Sequence, residues 1–174
     1  MHSLHGLDIR PTSDRLRETL FNVLSAGNPR ALEGSVWVDL FAGTGAVGIE
    51  AISRGAAVVH FVECSRRAVE LIGKNLASLK IEQGFRILQQ EAAHAIAELD
   101  RNDAQVDYVF LDPPYSERGE YQKTLEALAG SNLAKTALVI TEHEKRFDPG
   151  ERFGNLQRSR KLEQGDAALS FYHT

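Results

Sequence analysis

VDLFAGTGAVGIE, Val38 to Glu50, is an apolar run that breaks into a glycine-rich turn and resumes with helical spacing. Gly43, Gly45 and Gly48 form a G-x-G-x-x-G. Gly43 and Gly45 carry no Cβ, so the backbone there can turn tightly and approach a ligand. A helix beginning near Ala46 then aims its free N–H groups at that ligand. Strand, glycine turn and helix in this order open a βαβ unit of the nucleotide-binding type.

The periodicity of the flanking chain extends that unit into a sheet. Strands are predicted over 35–41, 57–63, 85–89, 106–111 and 137–141, and helices over 46–53, 65–79, 92–99 and 120–129. The run 106–111 is almost continuously apolar, as expected of a strand buried on both faces. Ahead of the first strand, Thr12, Ser13 and Asp14 after Pro11 read as a helix N-cap. Leu16, Leu20, Phe21, Val23 and Leu24 supply that helix's apolar face. Segments 157–162 and 167–173, either side of Gly165 and Asp166, read as a β-hairpin. The expected fold is α/β: a Rossmann-like, mostly parallel seven-stranded sheet with helices on both faces and a C-terminal antiparallel hairpin. One domain is expected to span residues 1–174. Ligands of such sheets lie beyond the carboxyl ends of the strands, which puts the residues after Phe41, Glu63, Gln89 and Leu111 at the site.

The glycine turn suits two ligands. Glu63 ends the second strand 20 residues beyond Gly43, where a carboxylate can accept from both hydroxyls of a ribose. NAD and S-adenosylmethionine share that ribose. Asp39 favours the second ligand, because a carboxylate repels a pyrophosphate but attracts an α-ammonium and a sulfonium. A plainer role is also open to Asp39, bonding backbone N–H groups of the loop. Glu91 stands where it can accept from an adenine amine, with the Ala92 N–H on a ring nitrogen. It can equally serve as an acidic residue opening the next helix.

YVFLDPPYSE, Tyr108 to Glu117, carries the chemistry. A buried strand runs straight into Asp112, Pro113, Pro114 and Tyr115, and two consecutive prolines stiffen the turn. Asp112 offers a carboxylate, Pro113 a carbonyl and Tyr115 a flat ring. Two acceptors and a stacking face hold a planar group bearing –NH₂, such as a nucleobase amine. Accepting both amine hydrogens raises electron density on nitrogen and orients it toward an electrophilic methyl group. The simpler alternative is a proline-rich loop whose Asp caps a turn.

DLFAGTGAVGIEA, FVE and DPPY, in this order, resemble class I S-adenosylmethionine-dependent amino-methyltransferases. RPTSDRLRETLFNVL, Arg10 to Leu24, narrows the resemblance to the RsmD family, which methylates the exocyclic N2 of a guanine in bacterial small-subunit rRNA. The resemblance implies that Asp39, Phe41, Gly43, Thr44, Gly45, Glu63, Cys64, Glu91 and Ala92 line the S-adenosylmethionine pocket. It implies that Asp112, Pro113, Pro114 and Tyr115 are catalytic and grip the base. Arg10, Thr12 and Arg15, together with Tyr115, would contact the substrate, 16S rRNA or the assembling 30S subunit. Only MHSLHGLDI precedes Arg10 where the family has a short basic β-hairpin, so that RNA-contacting element is expected to be missing or shortened.

Composition bounds the rest. A net charge of −4 gives no globally basic surface for phosphates. The clusters Arg10, Arg15, Arg17, Arg30 and Arg158, Arg160, Lys161 read as solvated surface or as local patches. No apolar run reaches the ~20 residues a bilayer requires, and no signal-peptide core is visible, so a cytoplasmic, membrane-free monomer is expected. His60, His94 and His143 lack metal-ligand spacing. Glu142, His143 and Glu144 read as a solvated strand end, Cys64 and Trp37 as packing residues, and no metal is expected. Three rivals stay open. A DNA amino-methyltransferase usually carries a further recognition domain, for which 174 residues leave no room. A protein glutamine methyltransferase would more typically show Asn at position 112. A non-catalytic RNA-binding or assembly factor could keep the fold without turnover.

Overall fold

The apolar run ahead of the glycine turn forms β1 (Val36–Leu40), central in the sheet of the computed structural model, which describes residues 14–174. β2 (Val58–Val62) pairs with one side of β1 and β4 (Tyr108–Leu111) with the other, both in parallel. β3 (Phe85–Leu88) extends the sheet beyond β2, and β5 (Leu138–Glu144) beyond β4. β8 (Ala167–His173) runs antiparallel to β5, and β7 (Leu156–Gln164) antiparallel to β8. A two-residue β6 (Arg152–Phe153) pairs with β7 at the edge, so among the described residues the sheet has eight strands instead of the expected seven. Two residues are too short to leave a periodicity; β6 exists because the chain turns at Gly154, φ 56°, and lays Arg152 against Gln157.

The helices are α1 (Asp14–Leu24), α2 (Ala46–Ser53), α3 (Arg66–Ser78), α4 (Ala92–Arg101) and α5 (Arg118–Ala129). Alternation along the strands sorts them into two layers. Val38, Leu40, Val109 and Leu111 face α4 and α5 through Ile96, Leu99, Leu125 and Leu128. Trp37, Phe61, Phe110 and Ile140 face α1, α2 and α3 through Leu20, Phe21, Val47, Ile72 and Leu76. Trp37 is fully buried, stacked on Tyr108 with ring centroids 4.6 Å apart. Gly48 lets α2 lie directly on β2, since a Cβ there would run into the Phe61 ring and stand 2.8 Å from Val59 Cγ1.

Two readings change for tertiary reasons. β5 continues past Thr141 to Glu144 because β8 pairs along its whole length, Glu142 with Leu169 and Glu144 with Ala167. The Arg158 side chain is nearly covered, bound to Asp148 at 2.7 Å and Glu151 at 3.3 Å. The solvated-surface reading therefore fails for Arg158, which ties the Asp148–Glu151 loop to the hairpin. Arg10, Thr12, the N-cap expected at Thr12 and Ser13, and the segment where a basic hairpin is expected to be missing or shortened lie outside the described residues. No helix among the described residues is long and apolar enough to cross a membrane.

Candidate active site

Connections from β1 lead away to β2 and β3, those from β4 to β5, so the carboxyl ends of β1 and β4 open a crevice between them. The turn after β1 fills its floor. Phe41, Gly43 and Gly45 all adopt left-handed backbone, with φ of 59°, 56° and 79°. The turn closes with the Gly45 N–H on the Ala42 carbonyl at 2.7 Å, and Asn75 of α3 donates to the Thr44 carbonyl at 2.9 Å. Gly45, at the N-cap of α2, has no side chain to cap it. Asp39 does so from the neighbouring strand, its carboxylate accepting the Gly48 N–H at 3.0 Å. Asp39 is thus both loop cap and cleft wall.

Burial pushes the Asp39 carboxyl up to about 8; the Gly48 N–H works against this, and the negative charge of Glu63 adds to it. At neutral pH the acid is largely protonated, and a cationic group brought beside it restores the carboxylate. Glu63 lies across the turn. One of its oxygens accepts the Gly43 N–H at 3.0 Å and the other the Ser65 N–H at 2.9 Å, so the carboxylate braces the chain on both sides of the cleft. Each oxygen keeps lone-pair capacity for a ligand hydroxyl.

Cys64 is exposed and lines the cleft, so packing is not its role; partial burial and the adjacent Glu63 raise its thiol. Glu91 occupies the N-cap of α4 without a side-chain capping bond, and lines the cleft with the buried Ala92. Asp112, Pro113, Pro114 and Tyr115 form the opposite wall. The Glu117 N–H closes their turn on the Pro114 carbonyl at 2.8 Å. From α5 the buried Tyr121 hydroxyl donates to the Glu142 carbonyl at 3.0 Å and stands 3.4 Å from the Pro113 carbonyl. Burial and then Asp112 head the causes that push this phenol far above its ordinary range.

The cleft of about 870 Å³ thus gathers Asp39, Phe41, Gly43, Thr44, Glu63, Cys64, Glu91, Ala92 and the whole Asp112–Tyr115 turn, residues chosen from four separate stretches of chain. Gly45 turns the loop from below and is not part of the lining. Arg15 is exposed on the first turn of α1, also outside the lining. The sequence reading missed Gln90, Glu117, Glu120, Lys123, Glu142 and Glu144. For Glu142 the missing signal was strand register. With Leu111 paired to Thr141, Glu142 is the next step beside Asp112, buried to 4% exposure.

The solvated-end reading is therefore overturned for Glu142 and His143, while Glu144 stays half-exposed. His143 is fully buried, one ring nitrogen 2.9 Å from the Glu144 carbonyl and the other 2.9 Å from the Ser170 hydroxyl, and burial lowers its pKa. Among the described residues, eight carboxylate side chains line the cleft against one cation, Lys123. That donor set does not fit a pyrophosphate. It fits a ligand with an ammonium, a sulfonium and a ribose, and an amine-bearing second ligand facing Asp112.

Comparison with known proteins agrees. The family model described as Conserved hypothetical protein 95 matches residues 1–173. Ribosomal RNA small subunit methyltransferase D of Escherichia coli K12 is 37% identical over 78% of this chain, which covers 65% of that relative's length. A solved structure of a conserved hypothetical protein from Streptococcus pyogenes superposes with a TM-score of 0.77, at 33% identity, covering 91% of this chain and 94% of that one. The fold is also that of an RNA methyltransferase from Salinibacter ruber solved with S-adenosyl-L-homocysteine, TM-score 0.71 at 17% identity, covering 94% and 93%.

Proposed function

The chain belongs to the Conserved hypothetical protein 95 family, the RsmD methyltransferases, and we propose that it methylates the exocyclic N2 of a guanine in 16S rRNA. The observation that carries this reading is that the Asp112–Tyr115 turn lines the same cleft as Asp39 and Glu63. An amine holder and a cofactor holder therefore share one space.

Asp39 takes the ligand's α-ammonium, Glu63 its ribose hydroxyls, and Glu91 with the Ala92 N–H its adenine. When bound, S-adenosylmethionine supplies a methyl group made electrophilic by its sulfonium. The Asp112 carboxylate and the Pro113 carbonyl accept the two amine hydrogens and aim the nitrogen lone pair at the methyl position. Asp112 then stabilises the positive charge that develops on nitrogen. Tyr115 stacks on the base and offsets part of the few kcal/mol needed to extrude it from a helix. None of these steps requires a metal.

The acidic lining supports entry of the base alone. Phosphates are repelled at the mouth, and Arg15, exposed outside the lining, holds the RNA backbone, with Arg10 and Thr12 as further substrate contacts. The enzyme acts in the cytoplasm as a single-domain monomer, on 16S rRNA or the assembling 30S particle. To test this, the protein is given methyl-labelled S-adenosylmethionine with unmethylated 30S particles, naked 16S rRNA, duplex DNA or ribosomal protein. Label recovered as N2-methylguanosine from the 16S rRNA, naked or in the 30S particle, is the expected result. Label in DNA, protein or another nucleoside overturns the reading.

A further inference from the structure

Holding an exocyclic amine does not choose a base, because guanine, adenine and cytosine all carry one beside a ring nitrogen. They differ at that nitrogen. Guanine N1 bears a hydrogen, whereas adenine N1 and cytosine N3 are acceptors. A site that takes guanine needs an acceptor next to the amine holder, and one residue occupies that place.

β4 and β5 are parallel, with Phe110 opposite Ile140 and Leu111 opposite Thr141. Asp112 and Glu142 are the next residues along the two strands. Facing positions on parallel neighbours project to the same side, with the strands roughly 4.8 Å apart. That spacing suits two acceptors set against adjacent donors on one base edge. Both residues line the cleft, and Glu142 is 4% exposed, with little water to screen or replace its contacts. Tyr121 fixes the relative placement, its hydroxyl bonded to the Glu142 carbonyl at 3.0 Å and lying 3.4 Å from the Pro113 carbonyl. The amine holder and Glu142 are thus braced by one buried side chain.

We propose that Glu142 is the specificity-determining residue, accepting from guanine N1–H while Asp112 and the Pro113 carbonyl hold the N2 amine. This rests on the reading of the substrate as a guanine. A base with an acceptor at N1 sets a lone pair against a buried carboxylate. A site built to accept a hydrogen bond rejects strongly any analogue that lacks the donor.

The test uses RNA with guanine or 2-aminopurine at the methylated position; the second base keeps the amine but has an acceptor at N1. The unsubstituted enzyme should prefer guanine by at least about thirtyfold in kcat/KM. Glu142→Gln, whose amide can donate to an acceptor nitrogen, should narrow that preference by at least about tenfold while S-adenosylhomocysteine affinity stays within about threefold. A measurement free of any substitution accompanies it. RNA with inosine, which keeps N1–H but has no amine to methylate, should compete with the guanine substrate far better than RNA with adenine. A guanine preference unchanged in Glu142→Gln, or inosine competing no better than adenine, overturns the assignment of Glu142 alone. No methylation of guanine by the unsubstituted enzyme overturns the functional reading, and the proposal with it.

Discussion

Glu63→Gln separates what this carboxylate does for the ligand from what it does for the loops. In the native chain each oxygen accepts a backbone N–H, Gly43 at 3.0 Å and Ser65 at 2.9 Å, leaving lone pairs for ribose hydroxyls. The amide keeps one acceptor oxygen and turns an NH₂ toward a backbone N–H, so one bond is lost and a donor faces a donor. A hydrogen bond to a charged group is worth about 1.5–3 kcal/mol. At about 1.4 kcal/mol per tenfold, losing the equivalent bond to the ribose raises the Kd for S-adenosylhomocysteine roughly 10- to 140-fold. Calorimetry with that ligand, and with an analogue lacking both ribose hydroxyls, divides the effect. The variant should lose much less affinity, under about threefold, for the dehydroxylated analogue, since only the loop contribution remains. An equal loss for both ligands would refute ribose recognition and assign Glu63 to bracing the loops.

Asp112→Ala should bind S-adenosylhomocysteine within about threefold of normal yet lose about 100- to 1,000-fold in methyl transfer, the scale for removing one group that stabilises transition-state charge; near-normal turnover of labelled methyl into rRNA would sink its role. Burial raises the Asp39 carboxyl from the ordinary carboxylate range to about 8, so the folded state is favoured below about pH 4 and loses stability as the pH rises toward 8. Asp39→Asn, which keeps an acceptor for the Gly48 N–H, should therefore gain stability over the native chain increasingly from pH 5 to 8 in urea titrations. In the same window the native chain should bind S-adenosylmethionine more tightly with rising pH and release protons, whereas the variant should bind weakly and without that slope. Gly48→Ala places a methyl in the Phe61 ring and 2.8 Å from Val59. It should cost about 1–3 kcal/mol of unfolding free energy by overpacking. Gly73→Ala in α3, where a Cβ meets nothing within 4 Å, should instead gain about 0.5–1 kcal/mol; equal effects of the two would contradict the packing assigned to α2.

Local chemistry made much of the site legible. Glycine spacing, a carboxylate closing a strand and a double-proline turn are constraints a few residues impose on themselves, and Asp39, Glu63 and Asp112 stood out for that reason. Roles that depend on a partner were not legible. Asp39 reads as a ligand contact, but its bond to Gly48 also makes it the cap that Gly45 cannot supply. Arg158 reads as surface charge until Asp148 and Glu151 fold over it. Glu142 and His143 read as part of a hydrophilic strand end because their burial comes from β8, which follows more than twenty residues later.

By itself the sequence determined the βαβ order, the place of the glycine turn and the amine-holding Asp112–Tyr115 segment, because propensity, periodicity and stiff turns act over a handful of neighbouring residues. Only the tertiary structure decided the two-residue β6, the paired placement of Asp112 and Glu142, and the excess of carboxylates around one cleft. Those depend on strand register and on burial, which are fixed by contacts between segments distant in the chain, and no short stretch carries a record of them.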